Sequence, residues 1–458
     1  MDNFLSSLKD NLSIDTEILT KSHRLFDESL ARWSNIDLKI PEAVIKPVSE
    51  ADIVTIVKAA SAAHIPLVPA TGGHSPWSTV ENGIIIDLGK HQGVEVDAAQ
   101  HVATAKGGIL MKEFQLALSK EGQFTTVANG NTVGVVPYCI GGGVSSYTPL
   151  IGWACENILS ARIITASGDI VEASDSQNSD LLWALRGAGQ FFGIVLELTL
   201  RTYDLSLIGP GGVRQIGVVY FPINRAAEVC NVLARIVEES DYSHASSGHF
   251  MVMKDPERGH VLMLAPQYFG TSSEFQAQFK PILDLEPIFH QHMDSTFAKH
   301  SDHLGWMCPK GEFKRFSQTG MAGLNAKNFA KLVELHRELL ETCPGAERTV
   351  FTLEWHTQTP PNEARKTPTS FGLKSVDIWL NILTWYTDPA LHEKMLDFDK
   401  RAQQLMRSGT TPSAYVAYTN TSRDDPIEYR YKGTGAVSKL EALKREWDPQ
   451  GVFTRELL

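Results

Sequence analysis

The stretch Ala63-His64-Ile65-Pro66-Leu67-Val68-Pro69-Ala70-Thr71 reads as a Val/Pro-rich strand, and it breaks on Gly72-Gly73-His74-Ser75. This junction constrains the fold more than any other. Paired glycines at a strand end let the backbone turn with positive φ and present its N–H groups to a pyrophosphate lying over them. No side chain stands in the way there, and the imidazole that follows can be aimed at a ligand ring. Taken alone, the tetrapeptide also fits an ordinary solvated loop with a spare histidine.

Three further segments follow in order. The first is Gly130-Asn131-Thr132-Val133-Gly134-Val135-Val136-Pro137-Tyr138-Cys139-Ile140-Gly141-Gly142-Gly143, continued by Gly152-Trp153-Ala154-Cys155-Glu156-Asn157. The second runs from Asp180 through Arg186-Gly187-Ala188-Gly189-Gln190-Phe191-Phe192-Gly193-Ile194-Val195. The third is a charged helix, Lys439 to Glu446, leading into Trp447-Asp448-Pro449-Gln450-Gly451-Val452-Phe453. With these four segments the chain resembles an FAD-linked oxidoreductase of the vanillyl-alcohol oxidase superfamily, berberine-bridge-enzyme-like branch. That resemblance covers both the flavin region and the C-terminal tail. It implies an α+β fold, with a PCMH-type two-subdomain FAD-binding domain and a substrate domain whose mixed or antiparallel sheet is covered by helices.

The resemblance also implies a set of flavin contacts: Thr71, Gly72, Gly73, His74, Ser75, Val133, Gly134, Gly141, Gly142, Gly143, Asn157, Gly193, Ile194 and Val195. Family members bond the histidine of the Gly-Gly-His turn to the flavin 8-methyl group, and His74 holds that place. Many relatives add a second link from a cysteine, but the register puts Gly130 there, so the expected link is single, through His74. Cys139 is out of register and Cys155 falls on a helical segment; both read as buried apolar residues. The arginine that often precedes the glycine pair is replaced by Ala70 or Thr71. Val133 occupies the position that governs oxygen access in relatives, and a small β-branched residue there resembles the oxygen-reactive members.

Composition sets wider bounds. With 458 residues, 43% hydrophobic and 21% charged, the chain can bury a large core and divide into more than one domain. A formal net charge of −11 argues against nucleic-acid or anionic-membrane partners, which need a basic footprint. The N-terminus has no basic n-region with an apolar core, and no apolar run reaches transmembrane length. Five scattered cysteines without a CxxC pair read as free thiols in a reducing, cytoplasmic setting, and nothing in the pattern suggests more than a monomer.

Periodicity places the elements. Ser13 to Arg32 reads as two short amphipathic helices. Ser49 caps a helix from Ala51 to Ala63, with Asp52 completing a capping box. Gly83 to Leu88 is a buried strand, Val94 to Ala105 a hairpin, Gly108 to Lys120 a helix, and Ile158 to Thr165 and Ile170 to Ala173 are strands. Beyond Thr202 strands and helices interleave, giving the expected division into residues 1–205 (flavin), 206–410 (substrate) and 411–458 (return to the flavin domain).

The catalytic candidates come from the substrate side. On Val376–Trp385 the period of two places Asp377, Trp379, Asn381 and Leu383 on one face, so Asp377 and Asn381 are the polar candidates. The Glu, Gln or Lys that relatives often carry in this strand is missing. Glu354 and His356 share a parity on the preceding strand and could supply acid–base chemistry, although a solvated edge pair is the favoured reading. Near the C-terminus, Tyr415 and Tyr418 are candidates for substrate contact or for deprotonation if their pKa is lowered. Ala417 stands where the family carries an asparagine, with Asn420 three residues on. His290-Gln291-His292 lacks the carboxylate or cysteine that would complete a metal site. The expected function is hydride transfer from a small organic molecule to FAD with reoxidation by O2, in natural-product biosynthesis. The alternative is a non-redox isomerisation or cyclisation in the same pocket.

Overall fold

The computed structural model describes residues 1–239, 245–358, 362–418 and 425–454. The chain opens with β1 (Glu17–Thr20), β2 (Ala43–Lys46), β3 (Leu67–Ala70) and β4 (Ile84–Asp87), a four-stranded sheet of order β1-β2-β4-β3. β4 pairs in parallel with both β2 and β3, and its Ile84-Ile85-Ile86 run is fully buried. An uninterrupted apolar run is what a parallel strand covered on both faces requires. The helix Glu50–Ala62 begins at Ser49 with the expected capping box to Asp52. One expectation fails here: the first of the two helices foreseen between Ser13 and Arg32 is replaced by β1, because pairing with β2 outweighs a weak helical period, and only Phe26–Leu30 is helical.

Next come β5 (Val94–Asp97), β6 (Val102–Lys106), β7 (Gln123–Phe124), β8 (Ile158–Ile164), β9 (Ile170–Ser174), β10 (Ile194–Arg201) and β11 (Tyr203–Asp204). Five of them form an antiparallel sheet, β5-β6-β10-β8-β9, while β7 and β11 make a short ribbon. β10 serves two cores. Ile194 and Leu196 pack with the first sheet, whereas Leu198 and Leu200 face the core beneath the helix Ser179–Ala188. A register shift between Val195 and Glu197 lets one strand do both.

The third sheet contains β12 (Val213–Pro222), β13 (Ser246–Asp255), β14 (Gly259–Tyr268), β15 (Phe289–Thr296), β16 (Phe313–Met321), β17 (Val350–His356), β18 (Ile378–Tyr386) and β19 (Val416–Ala417). Its order is β15-β12-β14-β13-β17-β18-β16-β19, antiparallel throughout. Helices Ala226–Glu238, Ser272–Leu283, Ala326–Thr342 and His392–Arg407 cover one face, packing on Phe250, Leu262, Phe351, Leu380 and Ile382. The other face meets the N-terminal half of the chain, Trp379 packing in the core that holds Leu198 and Leu200. As the period of two foretold, Ile378, Leu380 and Ile382 point to the helices and Trp379 to the opposite core.

The tail packs into two of the cores. Leu440 and Leu443 of the helix Ala436–Trp447 enter the core beneath the helix Ser179–Ala188, and Val452 and Phe453 enter that of the first sheet. Phe453 forms a parallel bridge with Leu67 on β3, where the Leu67 N–H donates to the Val452 carbonyl at 2.8 Å. Among the described residues no helix is long and apolar enough to cross a membrane.

Candidate active site

A cavity of about 390 Å³ lies between the first two sheets and the uncovered face of the third. One half is walled mainly by backbone and small residues: Thr71 to Ser75, Gly107, Gly130, Val133, Gly134, Gly193 and Val195. Close packing forces the glycine at 72. A Cβ on Gly72 would fall 2.0 Å from the Thr132 carbonyl, so the β3 turn lies directly on the segment from Gly130 to Gly134. Thr71 Oγ1 donates to the Gly107 carbonyl at 2.9 Å and ties the same turn to the end of β6. Gly73 has φ +69°, and the Arg32 side chain lies against its Cα face.

His74 stands at the junction of the two halves. Its Nε2 is 2.7 Å from Thr132 Oγ1, and its ring stacks on Trp33 with centroids 6.1 Å apart. Burial, helped by Lys310 and Lys314, pushes its pKa down to about 4, so the imidazole is neutral at neutral pH. The tautomer that donates Nε2–H to Thr132 leaves the ring's lone pair on Nδ1. FAD fits this half: a backbone-walled groove suits a pyrophosphate, and Arg32, Lys310 and Lys314 supply positive charge around it.

The other half is lined by alternate residues of β13, β16, β17 and β18, among them His249, Gln318, Thr352, Glu354 and Asn381. Glu354 is only 6% exposed, and Asn381 Nδ2 donates to its Oε2 at 2.8 Å. His249 is the cross-strand partner of Glu354, and burial lowers its pKa against the pull of that carboxylate. Thr352 Oγ1 and Asn381 Oδ1 are buried without a hydrogen-bond partner. Burying a polar atom unpaired costs about 1–3 kcal/mol, so these two mark where a bound molecule is to be met.

Tyr418 closes the cavity from the third side. Its hydroxyl accepts the Gly143 N–H at 2.5 Å and the Val144 N–H at 3.3 Å, and burial drives the phenol's pKa up rather than down. It is therefore a neutral donor, and the phenolate reading of this residue is set aside.

Of the residues expected to touch flavin, Thr71 to Ser75, Val133, Gly134, Gly193 and Val195 line the cavity; Gly141, Gly142, Gly143, Asn157 and Ile194 do not. Gly142 and Gly143, at φ +112° and +75°, are pressed against the Phe371 ring and Ala154 instead. Asn157 bolts loops together, donating to Ile151 and Trp153 carbonyls and accepting from Tyr203. Ile194 belongs to the first core. On the substrate side Asn381 and Tyr418 line the cavity, whereas Tyr415 packs on Tyr429 and Arg407, and Asp377 sits 3.7 Å from His356 Nδ1, off the lining. Glu354 and His356 are both buried, so the solvated edge pair is replaced by one cavity carboxylate and one packed imidazole. Asn420 lies outside the described residues. His292 binds Gln215 and stacks on Phe275, and among the described residues no cluster of His, Cys, Asp or Glu could hold a metal. The sequence reading missed Trp33, Trp77, Tyr138 and Cys308 in the lining, which no local pattern announces.

Comparison with known proteins agrees with this geometry. The FAD binding domain family matches residues 41–174. The chain is 28% identical to the FAD-linked oxidoreductase hasG of Aspergillus fumigatus, over 95% of each chain. Among solved structures, the berberine-bridge-enzyme-like protein 1 of Physcomitrella patens superposes with a TM-score of 0.84 at 19% identity, covering 99% of this chain and 98% of that one. The glucooligosaccharide oxidase of Acremonium strictum, whose FAD is described as 6-S-cysteinyl and 8α-N1-histidyl, gives a TM-score of 0.85 at 18% identity, with 99% and 98% covered.

Proposed function

We propose that the chain, an FAD-linked oxidoreductase with the berberine-bridge-enzyme-like fold, oxidises a small organic molecule bound between His74 and the Glu354–Asn381 pair. The observation that carries this reading is the placement of a buried, amide-held carboxylate across one cavity from the Gly72–His74 turn. Bound FAD would supply the hydride acceptor. The chain's own tasks are then to bind, orient and move a proton.

His74 anchors the flavin through its ring. Gly72, Gly73 and Gly134 hold the pyrophosphate side by close backbone approach. Glu354 accepts the proton from a substrate hydroxyl or acidic C–H, and Asn381 fixes the carboxylate so that its other oxygen faces the cavity. Thr352 and Asn381 Oδ1 pair with the substrate's polar groups, while Met251, Phe316 and Leu383 exclude water around the reacting carbon. Val133 beside the groove leaves room for O2 to reoxidise the enzyme. The substrate class this polar-and-apolar wall suits is a small alcohol or phenol, as in secondary metabolism.

The test is anaerobic mixing of holoenzyme with a panel of such alcohols and phenols. Bleaching of the yellow colour, restored by air with peroxide formed, is the expected result. Turnover without bleaching would move the activity to a non-redox isomerisation or cyclisation and sink the oxidase reading.

A further inference from the structure

Position 130 is a glycine, yet the space that its side chain would fill is not empty. A Cβ built on Gly130 would stand 3.3 Å from the sulfur of Cys308. Both residues line the cavity together with His74. Cys308 is the one half-exposed cysteine of the chain; Cys139, Cys155, Cys230 and Cys343 are buried. Among these, burial pushes the Cys230 thiol up to about 12, as expected of inert core sulfurs.

The turn that carries Cys308 is fastened to the flavin loop. The Trp33 indole donates to the Met307 carbonyl at 2.6 Å, and the Gly311 N–H donates to the Arg32 carbonyl at 2.9 Å. The Trp33 N–H in turn donates to the Gly73 carbonyl at 2.9 Å. One short relay of backbone thus sets the distance between Cys308 and His74. Lys314 is held over the Trp33 and Trp385 rings and stands close enough to Cys308 to interact with it electrostatically. The cavity itself is built for an occupant, because Thr352 Oγ1 and Asn381 Oδ1, at 8% and 3% exposure, stand unpartnered in its wall.

We propose that Cys308 forms a second covalent bond to the flavin ring, supplying from the substrate domain the sulfur that position 130 lacks. This rests on the reading that FAD fills the cavity. Sγ, as thiolate, adds to a ring carbon of the oxidised flavin, and its electron pair becomes the C–S bond as the ring takes up two electrons. The proton on that carbon is lost, and dioxygen accepts the two electrons with two protons and leaves as hydrogen peroxide. The net change is a thioether in place of a ring C–H and a thiol S–H. The consequence is an enzyme whose two domains are cross-linked through the cofactor.

The experiment is peptide mass mapping of the acid-precipitated full-length holoenzyme, beside Cys308→Ser and His74→Ala. The expected result is a flavin-bearing peptide that contains Cys308, joined to the His74 peptide in the wild type. Cys308→Ser leaves flavin on the His74 peptide alone, His74→Ala leaves it on the Cys308 peptide alone, and the double variant releases all colour into the acid supernatant. Wild-type protein that is yellow but whose Cys308 peptide has its unmodified mass overturns the cross-link and leaves the flavin reading standing. Colourless wild-type protein that cannot be reconstituted with FAD overturns both.

Discussion

A histidine ring can attack a flavin only through a nitrogen that keeps its lone pair, and Thr132 is the partner of one of the two. With Oγ1 2.7 Å from Nε2, Thr132 orients the ring, and when Nε2–H is the donor the lone pair is on Nδ1. Thr132→Val should reduce the fraction of flavin found on the His74 peptide, and Thr132→Ser should restore it; an unchanged fraction in the valine variant would remove Thr132 from this role. Across the cavity, Glu354→Gln should lower kcat by about a hundredfold or more, the usual reach of a positioned base, while the flavin spectrum is unchanged. A kcat near that of the wild type would exclude Glu354 as the proton acceptor. The sequence could place Glu354 and Asn381 by parity but could not say that the face they share is a cavity wall. That knowledge requires β17 and β18 to lie side by side with the flavin loops opposite, which is tertiary information.

At the scale of elements, what was legible were the strands and helices whose hydrophobic period is strong, such as β4, β10, β18 and the helix Glu50–Ala62. β16 was missed because Phe313-Lys314-Arg315-Phe316-Ser317-Gln318 is polar at alternate and adjacent positions. Its polar residues are satisfied from neighbouring elements: Ser317 and Arg315 both donate to Asp399 on the helix His392–Arg407. The charged helix foreseen at Lys439 to Glu446 lies within the helix Ala436–Trp447, and the turn after it is held by one carboxylate. Asp448 accepts from the Val452 N–H at 2.8 Å, the Phe453 N–H at 2.9 Å and the Lys444 ammonium at 2.7 Å. Asp448→Ala would strand two amides and leave the nearly buried Lys444 ammonium with carbonyl acceptors but no carboxylate, so a loss of about 3 kcal/mol in urea unfolding is expected. A midpoint within error of the wild type would show that the turn forms without its carboxylate.

For the whole molecule, buried histidines set the acid limit. Burial holds both His74 and His336 at about 4. The pair His260 Nε2 and His336 Nδ1 at 2.9 Å, with His336 Nε2 donating to the Thr349 carbonyl at 2.7 Å, fixes His336 as a neutral ring. In the unfolded chain such rings take up a proton near pH 6.5, as ordinary histidines do, and in the folded chain they do not until about pH 4. Between these values the unfolded state binds more protons, so stability is fully present above pH 6.5 and declines as pH falls towards 4. Thermal unfolding of the flavin-free protein should show Tm falling across that window, with a shallower fall in His336→Gln. A flat Tm would mean that these rings titrate alike in both states.

The bridge from Phe453 to Leu67 has a further consequence, in time rather than in space. β3 delivers the Gly72–His74 turn, and its edge is finished only by residues from a segment made much later in synthesis. A ribosome-bound chain that has already emitted Gly72, Thr132 and Cys308 but not yet Val452 and Phe453 therefore still holds a groove whose supporting strand is open on one edge.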